Sequence, residues 1–332
     1  MWIALFAVVV LVGWYLWEKK QRITHSMPGG LRADLTIDHT QEWELYHNDF
    51  SLCSKKTRVC MAELGIRYRA HHIDLIETGS YQNLSAWYLR ANPAGILPLL
   101  VHNGHPIFES HEQILYAASQ AETTNLLIPT GAHERAVMDH WVHKSSLLGD
   151  DPISGMRETA GNAVPGLTLP IFATMIDQVA WSKILVGLLF HRAKMRPLMF
   201  LRMKSLGSDN LAKEKRMVGV IRKSRAAMHV HFDELERELL SSVGDWIVGD
   251  QFTLADVGMM VIIERLAEVD WLGEFLTNRP QSTAYWQSLQ ARASYQEGIA
   301  DHRHPAVVDG LAKVVRLKKE NPRFCEALVG SA

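Results

Sequence analysis

Residues 43 to 121 carry the order of signals that most constrains the fold. A strand signal at 43–47 leads to a helix at 53–64, a strand at about 67–74, a helical piece around Leu84 to Arg90, then two strands and a closing helix. The two strands, Leu97 to Val101 and Pro106 to Phe108, flank Asn103-Gly104. That dipeptide suits a two-residue hairpin, because both turn positions take positive φ. Ser110 stands where it can cap the next helix, whose apolar face is Ile114, Leu115 and Ala118. A βαβ unit followed by αββα predicts a mixed sheet with helices packed on it, an α/β domain.

The first junction of strand and helix holds the chemistry: Ser51-Leu52-Cys53-Ser54-Lys55-Lys56-Thr57-Arg58. Val59, Cys60, Leu64 and Ile66 give the helix apolar positions, and Gly65 ends it. A helix start presents unpaired N–H groups and a positive dipole end, so a thiolate at or beside Cys53 is stabilised there. Lys55, Lys56 and Arg58 add positive charge. The octet alone is equally a serine cap on an ordinary helix with a core cysteine. Together with S-x-C, the βαβ-αββα order is the plan of a thioredoxin-like domain.

Further along, Asn92-Pro93-Ala94-Gly95-Ile96-Leu97-Pro98 resembles the N-P-x-G-x-x-P segment of the glutathione transferase superfamily, and Glu109-Ser110 resembles its glutathione-binding acid-serine pair. The resemblance implies a cis bond at Leu97-Pro98, with the Leu97 backbone pairing the cysteinyl part of glutathione like an added strand. It implies that Ser110 and its helix N-terminus receive the γ-glutamyl carboxylate while Glu109 pairs the ammonium. The octet is most similar to that of tetrachlorohydroquinone reductive dehalogenases, and zeta-class transferases share S-x-C-S. The layout also resembles the ganglioside-induced differentiation-associated proteins, through Leu45-Tyr46-His47 and Phe252 to Val257, but those lack a cysteine in this slot and carry their anchor at the C-terminus.

The rest of the chain fits that plan. Thr123 to Gly131 reads as an interdomain connection, after which helical periodicity predicts an all-α domain over 132–300 and a tail over 301–332. Thr253 caps a buried helix with Asp256 reaching back from N3. Arg279-Pro280 with Tyr285, Trp286 and Arg292 resembles the family's closing helix. Before the α/β domain (43–122) lie an uncharged run, 1–17, and a polar stretch, 18–42, with Pro28, Gly29 and Gly30 and no apolar period. The run is near the short end of a bilayer-spanning helix. Trp14, Tyr15 and Trp17 mark an interface, and Lys19, Lys20 and Arg22 would hold the body in the cytoplasm. A cleaved signal peptide is the rival, but no basic residue precedes the run and no small-residue pattern follows it. Residues 191 to 225 hold eleven Lys/Arg against two acids, a net of +9 in a chain whose total is −1. They predict either a membrane-facing surface or a solvated basic helix pair.

Several function classes fall away. The balanced charge gives no general attraction to nucleic acid, and neither G-x-G-x-x-G nor a P-loop supports a nucleotide. Three cysteines make no disulfide framework and suit a reducing compartment. Sixteen histidines invite a metal, but His140 with His143 lacks further ligands, and His229/His231 and His302/His304 are merely neighbours in sequence; no metal is expected. The resemblance implies a glutathione-dependent enzyme in which Ser51 activates the thiol and Cys53 exchanges, acting on a hydrophobic electrophile by conjugation, thiol transfer or reductive dehalogenation. Zeta-like isomerisation and a membrane-tethered glutathione-binding or membrane-shaping protein with little turnover are the alternatives. Glutathione, membrane lipid and a second copy in a homodimer are the partners it implies.

Overall fold

The computed structural model describes residues 2–121, 127–149 and 151–329. The last residue of the expected first domain, 122, and the start of the expected interdomain connection, 123–126, lie outside the described residues.

The sheet forms where the alternation of apolar residues demands it. Strands β1 (Gly30–Leu31), β2 (Trp43–His47), β3 (Arg69–His72), β4 (Leu99–His102) and β5 (His105–Phe108) lie in the order β1-β5-β4-β2-β3. Only β2 and β3 run parallel, with Tyr46 opposite His71 on one side and Leu99 on the other. Asn103 and Gly104 take φ of 50° and 81° at the β4–β5 turn, the positive pair that this hairpin needs. Successive residues go to opposite faces. Leu45, Leu100 and Ile107 join the main core with the helices, while Tyr46, Leu99, Val101 and Phe108 form a smaller core with Tyr88.

The polar stretch ahead of β2 is more than a linker. Gly30 pairs Phe108 at the sheet edge, Ile37 N donates to Gly104 O at 2.8 Å, and Met27, Leu35 and Ile37 cover the smaller core. A two-residue edge strand held by backbone bonds leaves no apolar period in the sequence.

Helices α1 (Trp2–Gln21), α2 (Leu52–Glu63), α3 (Ala86–Ala91) and α4 (Ser110–Gln120) belong to the first part of the chain. The second part is helical: α5 (Ala132–Lys144), α6 (Ala160–Ile176), α7 (Trp181–Phe190), α8 (Met195–Leu206), α9 (Lys215–Ser241), α10 (Leu254–Glu268), α11 (Leu272–Leu276), α12 (Pro280–Gln290), α13 (Ala293–Gly298), α14 (Pro305–Glu320) and α15 (Pro322–Val329). Helix α10 is its buried centre. Thr253 caps it, and Asp256 returns to Thr253 N at 2.8 Å while also taking the Tyr285 hydroxyl at 2.8 Å. Burial lifts the Asp256 carboxyl to about 6 despite those bonds. Residues read as a tail fold into α14 and α15, whose Val307, Val314, Leu317, Phe324 and Leu328 enter the core.

The two parts meet along α2. Lys55 pairs with Glu268, Lys56 Nζ reaches Ser145 O at 3.0 Å, Arg58 Nε reaches Gly298 O at 2.8 Å, and Glu63 takes a bidentate pair from Arg292 at 2.6 and 2.7 Å. Gly298 is needed for that approach, since a Cβ there would lie 2.8 Å from Val59 N. Helix α1 stands apart, with residues 2–14 exposed. Among the described residues it is the one helix long and apolar enough to cross a membrane.

Candidate active site

The topology collects the expected residues at one edge of the sheet. Tyr46 lies opposite Leu99 and Leu100 opposite Ile107, so the end of β2, the start of β4 and the end of β5 share that edge. Ser51, Leu97-Pro98 and Glu109-Ser110 occupy those three positions in turn. Helices α2 and α4 both begin there.

Ser51 is the N-cap of α2, with φ −63° and ψ 121°, and its Oγ accepts from Ser54 N at 3.2 Å. A hydroxyl has two acceptor sites and one donor, so the cap leaves the Ser51 proton free for an anion. Cys53 follows in the first helical turn, half-buried, its thiol unbonded to any sulfur. Cys60 lies deep in the core, where burial pushes its thiol far up and out of use.

The Leu97-Pro98 bond is cis. Among the described residues, neither the N–H nor the C=O of Leu97 has a hydrogen-bond partner. The loop before it is pinned by buried amides: Asn92 Nδ2 donates to Ile96 O at 2.7 Å, Asn83 Nδ2 to Gly95 O at 2.7 Å, and the Tyr88 hydroxyl to Ile96 O at 2.7 Å. Gln113, fully buried, then ties the three elements together. Its Nε2 donates to Pro98 O at 3.0 Å and Ile107 O at 2.9 Å, and its Oε1 accepts from Thr57 of α2 at 2.8 Å. Sequence reading missed Gln113, whose signal is only a polar residue on the apolar face of α4.

Glu109, not Ser110, is the residue before α4, and it holds φ 65°. A non-glycine residue is uncommon in that region and clusters at ligand sites. Ser110 is therefore the first residue of the helix rather than its cap. It is buried, and its hydroxyl has no hydrogen-bond partner among the described residues. Gly29 of the N-terminal segment passes directly over Glu109, so a Cβ there would meet Glu109 Cγ at 3.3 Å.

The basic residues of the octet do something other than the sequence suggested. All three are buried in the domain interface, where they hold the two halves of the chain together. Burial lowers Lys55 to about 8 against the pull of Glu268. Burial would raise Glu268, but Lys55 and Arg265 hold it below its ordinary value. Lys56 has no carboxylate partner among the described residues. Its bonds are to Ser145 O and Ser146 Oγ, burial lowers it to about 8, and Cys53, one turn before it on α2, is the charge that draws it back up. His111, beside Ser110, is brought down to about 4 by burial and by the nearby Lys56 and His143. It is neutral near pH 7.

The histidines separate. His140 pairs Glu234 at 2.9 Å, His229 pairs Glu274 at 2.9 Å, and His231 bonds Met156 O. His302, however, packs on His47 at a ring distance of 5.4 Å, and together with Asp49 their ligand atoms lie within 4.8 Å of one another. Sequence spacing gave no hint of that meeting. The Arg58 guanidinium, 3.2 Å from His47 Nδ1, puts a permanent cation beside these donors, which disfavours a metal ion. Burial first, then Arg58, lowers His47 to about 3. A surface cavity of about 510 Å³ is lined by His229, Asp233, Glu274 and Arg279 among others and by none of the residues at the sheet edge.

Comparison with known proteins places the fold among relatives. The family model described as Glutathione S-transferase, N-terminal domain, matches residues 50–120. The chain is 25% identical to Glutathione S-transferase TCHQD of Arabidopsis thaliana, over 77% of this chain and 89% of that protein. It is 23% identical to Tetrachloro-P-hydroquinone reductive dehalogenase of Sphingobium chlorophenolicum, over 77% of this chain and 94% of that one. The solved structure of Beta-etherase LigF from Sphingobium sp. strain SYK-6 superposes with a TM-score of 0.61 at 18% identity, covering 78% of this chain and 98% of LigF. A thioredoxin-like mixed sheet, the cis Leu97-Pro98 edge and an all-helical second part thus meet in one chain, and it belongs to the glutathione S-transferase superfamily.

Proposed function

We propose that the protein is a membrane-anchored, glutathione-dependent enzyme acting on a hydrophobic electrophile, with Ser51 activating the glutathione thiol and Cys53 serving as a second, exchanging thiol. The observation that carries it is the convergence, at one sheet edge, of a capping hydroxyl with a free proton, an unpaired Leu97 backbone and an unpaired Ser110 hydroxyl at a helix start. Leu97 would pair the cysteinyl backbone, and Ser110 with the α4 N-terminus would take the γ-glutamyl carboxylate. Glu109 would take the ammonium. Ser51 would then donate to the sulfur as it ionises, favouring the thiolate at the positive end of α2.

Conjugation needs no more than this. The thiolate attacks an electron-poor carbon, a C–S bond forms, and halide leaves with the bonding pair. Reduction needs Cys53. Its thiolate attacks the glutathionyl sulfur, the C–S pair returns to the ring carbon and takes a proton, and a mixed disulfide forms on Cys53. A second glutathione thiolate then attacks that disulfide, releasing Cys53 and oxidised glutathione. The likeness to the reductive dehalogenase, together with Cys53 in the first turn of α2, favours the reductive route. Zeta-like isomerisation and a membrane-shaping protein with little turnover are the competing readings.

We assign residues 1–17 to the anchor, 18–42 to the juxtamembrane segment, 43–122 to the glutathione-binding domain and 132–300 to the helical domain, with Lys19, Lys20 and Arg22 on the cytoplasmic side. The test is a product analysis of the full chain with glutathione and three substrates: a chlorinated hydroquinone, a chlorodinitrobenzene and a cis-enone diacid. Loss of chloride with oxidised glutathione supports the reductive route. Absence of any turnover supports the non-enzymatic alternative.

A further inference from the structure

Helix α1 touches the body of the protein at one corner. The Tyr15 ring lies 6.0 Å from that of Phe190, the last residue of α7, and the Arg22 guanidinium sits 4.6 Å over the same ring. Just beyond α1, His25 N donates to Pro93 O at 2.8 Å, so the corner is also tied to the loop leading into Leu97-Pro98. Residues 2–14, in contrast, are exposed throughout.

The length of that exposed stretch decides where the corner must sit. At a rise of 1.5 Å per residue, residues 2–14 project about 20 Å, whereas the hydrocarbon core is about 30 Å thick. The projecting part cannot span alone. To reach across, Tyr15 to Trp17 must lie at or inside the membrane interface, and Phe190 goes with them.

What α7 presents at that level is apolar. Trp181, Leu185 and Leu189 are 50%, 52% and 42% exposed, and their four-residue spacing puts them in one stripe. The opposite side of α7 is buried, with Gly187 so close to Tyr81 that a Cβ would meet its ring at 2.4 Å. Met195 and Leu198 of α8, 76% and 46% exposed, extend the stripe past the corner. Cations rim it: Lys194 Nζ reaches Leu188 O at 2.8 Å and Leu189 O at 3.1 Å, and the Lys204 ammonium lies 5.8 Å from the Trp181 ring. Two basic residues of α9 are committed elsewhere, Arg222 to Glu326 O and Ala327 O, and Arg225 to Glu274 and Val329 O.

We propose that the α7–α8 corner is a second membrane contact, in which Trp181, Leu185, Leu189, Met195 and Leu198 enter the headgroup layer of an anionic bilayer, rimmed by Lys19, Lys20, Lys194 and Lys204. This reading rests on α1 being inserted in a membrane. Apolar side chains flanked by ammonium groups are the composition that binds such an interface. It narrows the expected membrane face from residues 191–225 to the stripe on α7 and the start of α8.

The test uses the full chain with Cys53→Ser and Cys325→Ser, leaving buried Cys60, reconstituted in vesicles of phosphatidylcholine and phosphatidylglycerol. Spin labels are placed singly at Val8→Cys, Leu185→Cys, Leu189→Cys and Val230→Cys, the last being an exposed position on α9. Relaxation by oxygen and by a water-soluble nickel chelate is then compared. Labels at 8, 185 and 189 are expected to lose access to the chelate and gain access to oxygen, while 230 keeps its access to the chelate. A lipid-exposed label at 8 with 185 and 189 as aqueous as 230 overturns the proposal and leaves the anchor standing. An aqueous label at 8 overturns both. In vesicles of phosphatidylcholine alone, labels 185 and 189 should regain some access to the chelate, and no change there overturns the anionic requirement.

Discussion

Ser51 has two separable jobs, and substitution can split them. The cap accepts a bond from Ser54 N at 3.2 Å, and losing it in Ser51→Ala should cost about 1 kcal/mol of stability. The other job is to donate to the glutathione thiolate, and a hydrogen bond to a charged group is worth about 1.5–3 kcal/mol, or about ten- to a hundredfold in kcat/KM. Ser51→Asp keeps an excellent cap but offers only acceptors when ionised. Ser51→Thr keeps both functions. Thermal melts should therefore rank Ser, Asp and Thr together above Ala, while kcat/KM for glutathione conjugation of an aryl halide should rank Ser and Thr far above both Ala and Asp. If Asp restored the rate along with the stability, Ser51 would be only a cap, and the assignment of thiol activation to it would be wrong.

Cys53→Ser should leave conjugation near the parent rate but halt reductive dehalogenation after one turnover, with the glutathionylated ring accumulating in mass spectra; unimpaired reduction would remove Cys53 from the cycle. Lys56 is protonated in the unfolded chain up to about pH 10.5 but sheds its proton near 8 when buried. Between those values the unfolded state binds more protons, so stability rises with pH across the window. The full difference is about 3 kcal/mol. Denaturation of the parent and Lys56→Met at pH 7 and pH 10 should show the parent gaining relative to the variant, and a constant gap would contradict the burial argument. Glu268→Ala leaves Lys55 and Arg265 buried without their carboxylate and should cost about 3–5 kcal/mol, read as a lower denaturation midpoint.

Much of the sheet edge was legible because it rests on local chemistry. Asn103-Gly104 specifies its turn, and the N-P-x-G-x-x-P segment and Glu109-Ser110 sit a few residues from the strands that aim them. What escaped was set by partners far off in the chain. Lys55, Lys56 and Arg58 read as surface charge near a thiolate, and only the approach of Glu268, Ser145 and Gly298 turns them into an interdomain clamp. Gln113 looked like an ordinary helix residue until its amide met Pro98 and Thr57. The strand at Gly30–Leu31 and the helices after residue 301 were missed for opposite reasons. The first is held by backbone bonds alone, and the second carry short apolar periods that gain meaning only against α6 and α9.

Calorimetric titration of the full chain with glutathione, read alongside thiolate absorbance, shows whether this sheet edge binds glutathione and ionises its thiol. Binding at or below about 1 mM is expected, with the bound thiol ionised at neutral pH, well under the ordinary thiol value of about 8.5. Combining Ser110→Ala with Glu109→Gln should abolish the heat of binding. No saturable heat with the parent protein, or bound glutathione that remains a thiol at pH 7, would contradict the account.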